Sequence, residues 1–528
     1  MNSKYVNSKR MNQDILDKIK GIDYPLVAFN PDQEHISTVT TAKKELAHYG
    51  VRRTKVLADL KTAIKETGLA DGMTISFHHH LRGGDMVVAQ VMTAIKEMGI
   101  KDLTIAASSL TGAHDFLVDY MKDGTVTGIQ TSGLRDKMGE YISGGNLAKP
   151  VIIRSHGGRP RAIESGDLKI DVAFLAASSS DEMGNANGSL GKAPFGSIGY
   201  ALTDAQFARK TVVITDTLVP FPNPEIALSQ SYVDYVVEVE SIGDPSKIAG
   251  GAIRLTASPK EEIIAQNIAG VITSLPQFKE GFSMQMGTGG ASLSAITPIR
   301  QAMITRGIKA GWCLGGITSH QVDLLKEGLV SELFDVQSFD AGAGLSVHEN
   351  PLHHHVISAS QYANGQNDSP FVNKLDFVIL SALEVDVNFN VNVITGSDGV
   401  IRGASGGHSD TAAGAEVSIV AVPTIRGRLS SIVDEVQTII TPGNTVDIVV
   451  TDYGIAINPL RQDLIDILSK TSLPIKTLEE MKAFAEGIVG KADAIKYDYS
   501  HPVALVEYRD GSINDIIYKA IKDDDEEA

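Results

Sequence analysis

Four short stretches combine residue types that bind anions or steady developing negative charge. Gly406-Gly407 leads into His408-Ser409-Asp410, a glycine turn just ahead of the strand-like run EVSIVAV. Backbone N–H groups at such turns suit an oxyanion, because no side chain blocks close approach. GTGGAS offers Gly287, Gly289 and Gly290 for similar work at the end of another strand-like run, where open α/β sheets place ligands. RSHGGRPR carries Arg154, His156, Arg159 and Arg161, and guanidinium forks grip carboxylates or phosphates at two points. HHHLRGGD brings His78, His79, His80 and Arg82 together, and Arg402 stands close to the 406–407 turn. Arg52 and Arg53 are a weaker cationic pair. Each stretch also has a plainer reading, as a strand-connecting turn or a solvated loop.

Other conspicuous residues read as structural. Consecutive histidines point in different directions and seldom ligate one ion, so neither 78–80 nor 353–355 is taken as a metal site. Glu384 and Asp386 end a buried strand, where carboxylates more often accept backbone hydrogen bonds than react. Asn390 and Asn392 match Asn185 and Asn187 across an internal repeat, which favours turn-stabilising amides. Cys313 lies in the apolar run WCLGG and reads as core.

The elements that must position these groups alternate. Short apolar runs such as TISF, LTIAA, VIIRS and VAFLAAS read as buried strands between longer helical segments, for example VVAQVMTAIKEM before Gly99. The order then recurs. Gly281 against Gly72, Gly307 against Gly99, Gly328 against Gly124 and Asp376 against Asp171 are offset by 204–209 residues. The fold class is therefore α/β, with two tandem open domains of like fold. An N-terminal arm (1–50) precedes domain one (51–250); domain two (260–515) follows a Gly/Pro-containing connector, and an acidic tail (516–528) ends the chain.

Composition limits the function. The 528 residues carry 47 basic and 64 acidic side chains, a formal net charge of −17, which argues against nucleic acid or an anionic membrane as partner. A single cysteine excludes an intrachain disulfide and fits a reducing compartment. No apolar run approaches a membrane span, and the polar start lacks the apolar core of a secretory signal, so a cytoplasmic location is expected.

LDFVILSALEVDVNFNVNV, GGHSDTAAGAEVSIVAVPT and VDIVVTDYGIA, in that order, resemble the second domain of the CoA-transferase superfamily. DGMTISFHHHLRGGD and VIIRSHGGRPRAIESGDLKIDVAFLAA narrow the resemblance to the alpha chains of bacterial citrate lyases. The resemblance implies an active site in the cleft between the domains and a citrate:acetyl-carrier transferase activity. It implies citrate as substrate, an acyl-carrier (gamma) subunit and a citryl-lyase (beta) subunit as partners, and no cofactor on this chain. The thioester arm would be a dephospho-CoA-type group on the carrier, with acetyl-CoA as surrogate donor.

On that basis Gly406, Gly407 and His408 are the expected catalytic loop. Arg154, His156, Arg159, Arg161, Arg402, His78 and Arg82 are expected to bind substrate, and Gly287, Gly289, Gly290 and Ser409 the thioester. Superfamily enzymes attack the thioester with a glutamate, but Phe339 aligns with that place here beside Gln337 and Ser338, and Asp340, one residue on, is the alternative carboxylate nucleophile. A ternary-complex route, in which citrate's own carboxylate attacks, is the expectation. The alternatives are a related transferase acting on another acid, and a non-catalytic scaffold presenting the carrier.

Overall fold

The buried apolar runs become parallel strands of two large sheets in the computed structural model, which describes residues 4–7, 9–36, 54–249, 258–287 and 289–521. Arg52, Arg53 and the acidic end of the tail lie outside the described residues, as do parts of the N-terminal arm and of the connector.

The first half supplies β1 (Val56–Leu57), β2 (Thr74–Phe77), β3 (Leu103–Ala107), β4 (Val126–Thr131), β5 (Val151–Arg154), β6 (Val172–Ala177), β7 (Lys210–Thr215) and β8 (Tyr235–Glu238). The second supplies β9 (Phe282–Met286), β10 (Ala310–Ile317), β11 (Val330–Ser338), β12 (His354–Val356), β13 (Phe377–Ser381), β14 (Val417–Ala421), β15 (Ile448–Val450) and β16 (Ile455–Ile457). The chain closes with β17 (Tyr497–Glu507) and β18 (Ile513–Ala520). In the first sheet β8, β7, β6, β2, β3, β4 and β5 lie side by side in that order. In the second, β15, β14, β13, β9, β10, β11 and β12 follow the same order. The recurring glycines therefore mark a recurring topology. Strands buried on both faces, such as β6 and β14, are continuously apolar or small, as parallel central strands must be.

One edge departs from the tandem pattern. Strand β17 pairs in parallel with β5, Ala504 opposite Val151 and Glu507 opposite Arg154, and β18 pairs antiparallel with β17. The segment 497–520 thus extends the first sheet, although sequence order placed most of it in domain two. The N-terminal arm packs on this addition: Met11, Leu16 and Phe29 share an apolar cluster with Tyr508, Ile513 and Ile516. Arg10 clamps Asp515 with two hydrogen bonds of 2.9 and 2.5 Å.

The repeated Asp-Asn turns are near copies. The Asp181 carboxylate accepts from Asn185 N–H at 3.0 Å and its side-chain amide at 2.9 Å; Asp386 accepts from Asn390 at 3.0 Å in both ways. Glu384 accepts from Asn392 and from the Gln437 N–H, so both strand-end carboxylates hold turns. Cys313 is buried in the second core, and burial pushes its thiol up to about 12.

Candidate active site

A cavity of about 240 Å³ opens between the two halves at the carboxyl ends of their strands. From the first half come His79 and Arg82 after β2, Ser109 and Thr111 after β3, Ser132 and Arg135 after β4, and His156 after β5. The second half contributes Gln285, Gly287 and Gly289 around the end of β9, Gln337 and Phe339 at β11, Ser381 from β13, and the loop 404–408. Loops beyond strand ends are where open α/β sheets hold ligands.

The two halves are bolted together at this wall. The Ser405 N–H donates to the Ser132 carbonyl at 2.7 Å, Leu134 N–H to Gly403, and His156 N–H to the Gly406 carbonyl at 2.8 Å. Asp410 reaches across from the first turn of the helix His408–Gly414, accepting from Ser155 Oγ at 2.7 Å and Gly157 N–H at 2.8 Å. Only glycine fits at 157, where a Cβ would meet the Ala363 carbonyl and the Asp410 carboxylate. Gly406 takes a left-handed conformation (φ 53°), so the turn is built on glycine for a backbone reason as well as a spatial one. The N–H groups of Gly406 and Gly407 have no partner among the described residues, and both glycines face the cavity.

Charge in the cavity comes from two arginines. Arg82 is itself left-handed (φ 49°), a conformation that costs a non-glycine residue energy and often marks a functional position. Its guanidinium stacks 4.8 Å from the centre of the Phe339 ring, and its buried Nη1 has no hydrogen-bond partner among the described residues. Burial and the nearby Arg135 lower its pKa to about 10, so it still carries a full charge at neutral pH. Arg135 stands at the mouth, exposed, as the N-cap of the helix Asp136–Ser143. No aspartate or glutamate lines the cavity among the described residues. Phe339 lines the cavity directly after β11. Asp340 caps the helix Ala341–Glu349 and accepts from Ser319 N–H and Oγ, outside the cavity lining.

Several expected site residues lie elsewhere. Arg154 and Arg161, each 1 % exposed, both bind Glu507, at 2.8 and 2.9 Å. Arg154 also contacts Gln130 and Tyr24, and Arg161 contacts Asp167. Arg159 forks onto Asp204 at 2.5 and 2.7 Å. These three are internal ion pairs and do not face the cavity: the inserted strand β17 brings Glu507 to Arg154 and Arg161, and the helix Gly199–Phe207 brings Asp204 to Arg159. Arg402 is exposed and paired with Asp398 at 2.6 Å. His78 donates from Nε2 to the Ala176 carbonyl, and His80 from Nδ1 to the Ser197 carbonyl; of the three histidines only His79 reaches the cavity. Gly290 opens a short helix and Ser409 is buried in the helix His408–Gly414, neither in the lining. His408 lines the wall but both its nitrogens are committed, Nε2–H to the Ser381 carbonyl at 3.2 Å and Nδ1 to Thr441 Oγ at 2.7 Å. It braces the glycine turn and has no free nitrogen for acid–base work.

Arg135, Tyr200, Tyr362 and Gln285 were not singled out in the sequence. Arg135 follows β4 in TSGLRDK, so the strand-end rule alone would have found it. The two tyrosines come from helices and carried no local signal.

The sequence matches the family model Citrate lyase, alpha subunit (CitF), over residues 53–520. It is 51% identical over 469 residues to a citrate lyase alpha chain of Haemophilus influenzae, covering 89% of this chain and 93% of that one. A Klebsiella pneumoniae citrate lyase alpha chain is 50% identical over 474 residues, covering 90% and 93%. Among solved structures, one described as an alpha subunit of citrate lyase from Streptococcus mutans in complex with citrate superposes with a TM-score of 0.91 at 51% identity, covering 95% of this chain and 99% of that one. A malonate decarboxylase alpha subunit from Acinetobacter baumannii, 16% identical with a TM-score of 0.62 and covering 83% and 88%, shares the fold.

Proposed function

The chain belongs to the citrate lyase alpha-subunit family, and from that premise we propose that it exchanges acetyl for citryl on a carrier-protein thioester, releasing acetate. The observation that carries this reading is the cavity itself: two arginines and free glycine N–H groups line it, with no carboxylate among its described residues. Arg82 and Arg135 would hold citrate's carboxylates, and the Gly406–Gly407 turn would receive the oxyanion. One citrate carboxylate oxygen attacks the acetyl thioester carbon, and the C–S bond breaks with its electron pair on the thiolate. The thiolate then attacks the citryl carbon of the mixed anhydride and acetate departs. No enzyme nucleophile enters, in keeping with Phe339 where a glutamate would stand. The 51% identical chain from Streptococcus mutans, crystallised with citrate, supports the acid assignment. A gamma carrier bearing a dephospho-CoA-type arm and a beta lyase chain are the partners this reading requires.

The test is turnover by the purified chain, with acetyl-CoA as donor and labelled citrate as acceptor. Citryl-CoA and acetate should form together, and malonate or butyrate should substitute poorly. A folded chain that makes neither product rules the reading out. Incubation with acetyl-CoA alone should leave no hydroxylamine-sensitive adduct; recovery of an acylated carboxylate would replace the ternary-complex route with a covalent one.

A further inference from the structure

Two imidazoles in the cavity are held in the same unusual way. Ser108 Oγ accepts the backbone N–H of His79 at 3.0 Å, so its own proton is free to go to His79 Nδ1, 2.6 Å away. Tyr200 O–H lies 2.5 Å from His156 Nδ1, its only acceptor among the described residues. With each hydroxyl donating to Nδ1, the ring's own hydrogen sits on Nε2 in the arrangement inferred below. Neither Nε2 has a protein partner among the described residues, and both rings line the cavity with centroids 5.7 Å apart. We propose that His79 and His156 serve as fixed, neutral hydrogen-bond donors, presenting two Nε2–H groups to the carboxylate and acyl oxygens of the reacting ligands.

The assignment rests on the acyl-exchange reading and gives it a specific donor set. Burial depresses both histidines; with Arg159 and Arg82 adding to it, His156 falls to about 3, and His156 adds to the effect on His79. Arg82, Arg159, His79, Tyr200 and the Asp410 loop are the titratable and charged groups gathered around His156. Burial dominates, the nearby cations add to it, and together they keep the ring uncharged. That state suits the chemistry, because carboxylate attack and thiolate departure move no proton. A base at this place would have nothing to abstract, whereas a preorganised donor meets oxygen charge as it develops. Position is secured from the other half: Asp410 holds Ser155 and Gly157, the neighbours on either side of His156, while the His156 N–H is tied to Gly406. The glycine turn and the imidazole therefore move as one unit.

Nitrogen NMR of the whole chain labelled at histidine tests the geometry without turnover. Both rings should show an unprotonated Nδ1 and a protonated Nε2 from pH 5 to 8, and added citrate should shift the Nε2–H signals alone. A protonated Nδ1, or no response to citrate at saturation, overturns the proposal even if exchange proceeds. Failure of wild-type exchange with these signals intact would instead remove the acyl-transfer reading. In kinetics, His156→Gln keeps an amide donor near Nε2 and should retain kcat within about tenfold, whereas His156→Phe should lose about 10²–10³-fold. The wild-type to His156→Gln rate ratio should stay constant between pH 5 and 8, since citrate's own titration cancels. A ratio that falls at low pH marks a titrating base and refutes the assignment. Tyr200→Phe, which removes the hydroxyl and keeps the ring, should mix the tautomers of His156 and lower kcat with citrate KM little changed; an unaltered spectrum would equally refute it.

Discussion

The two halves share a strand order and differ in what their loops deliver to the cavity. After β2 the first half places His79 and Arg82; after the matching β9 the second places Gly287 and Gly289. The first half adds Arg135 and His156, the second the bare turn Gly406–Gly407. One half thus supplies side-chain charge and imidazole donors, the other backbone donors and room. A duplicated scaffold gives two facing sets of strand ends, and divergence of the loops alone makes the site asymmetric. Asymmetry suits a reaction with unlike partners, a multiply charged acid on one side and a thioester carbonyl on the other.

That division of labour can be broken at points of decreasing consequence. Arg159→Ala would leave Asp204 buried and unpaired and should cost about 3–5 kcal/mol of stability, seen as a lowered Tm, without a selective change in citrate KM. A selective KM change at constant Tm would return Arg159 to the substrate site. On the second-half side, Gly407→Ala puts a methyl against Tyr362 Oη and displaces the turn, so kcat for exchange should fall by about 10²–10³-fold. In the first half, Arg82→Ala removes a charged donor whose Nη1 has no protein partner among the described residues. Citrate KM should rise about 10–10²-fold, from the ~1.5–3 kcal/mol of a hydrogen bond to a charged group, with acetyl-CoA KM little affected. Equal losses for both ligands would dissolve the distinction between the halves.

The seam itself should respond to pH. Burial raises the Asp410 carboxyl to about 6, above its ordinary value, so the folded chain binds a proton that the unfolded chain has already released. This group's contribution therefore favours folding below about pH 4 and is lost as pH rises through about 6. Asp386, also raised to about 6 by burial, adds a slope of the same sign. Asp410→Asn should flatten part of the decline of Tm between pH 4 and 6, and an unchanged slope would remove Asp410 as its source. Least consequential is Arg402→Ala: its exposed pair with Asp398 should be worth at most about 1 kcal/mol, and citrate kinetics should not change.

Much of the scaffold was legible locally. Apolar runs marked the strands, residues recurring at a near-constant offset revealed the repeat, and the Asp-Asn turns announced their role by appearing twice. The glycine turn at 406–407 was legible because close backbone approach leaves a residue type behind. The arginines were not. Arg154, Arg159 and Arg161 stood in a row that looked like an anion clamp, but Glu507 lies 353 residues beyond Arg154 in the chain. Nothing within reach of a sequence window announces such a partner.

Residue order by itself determined the α/β class, the duplicated topology and the family, because these follow from periodicity and motif, which are local properties of the chain. Tertiary structure alone decided which cations are spent on internal pairs and which line the cavity, and which nitrogen of each histidine is tied to a protein group. Pairing and tautomer depend on what other segments bring within about 3 Å, a distance set by the fold and unrelated to separation along the chain.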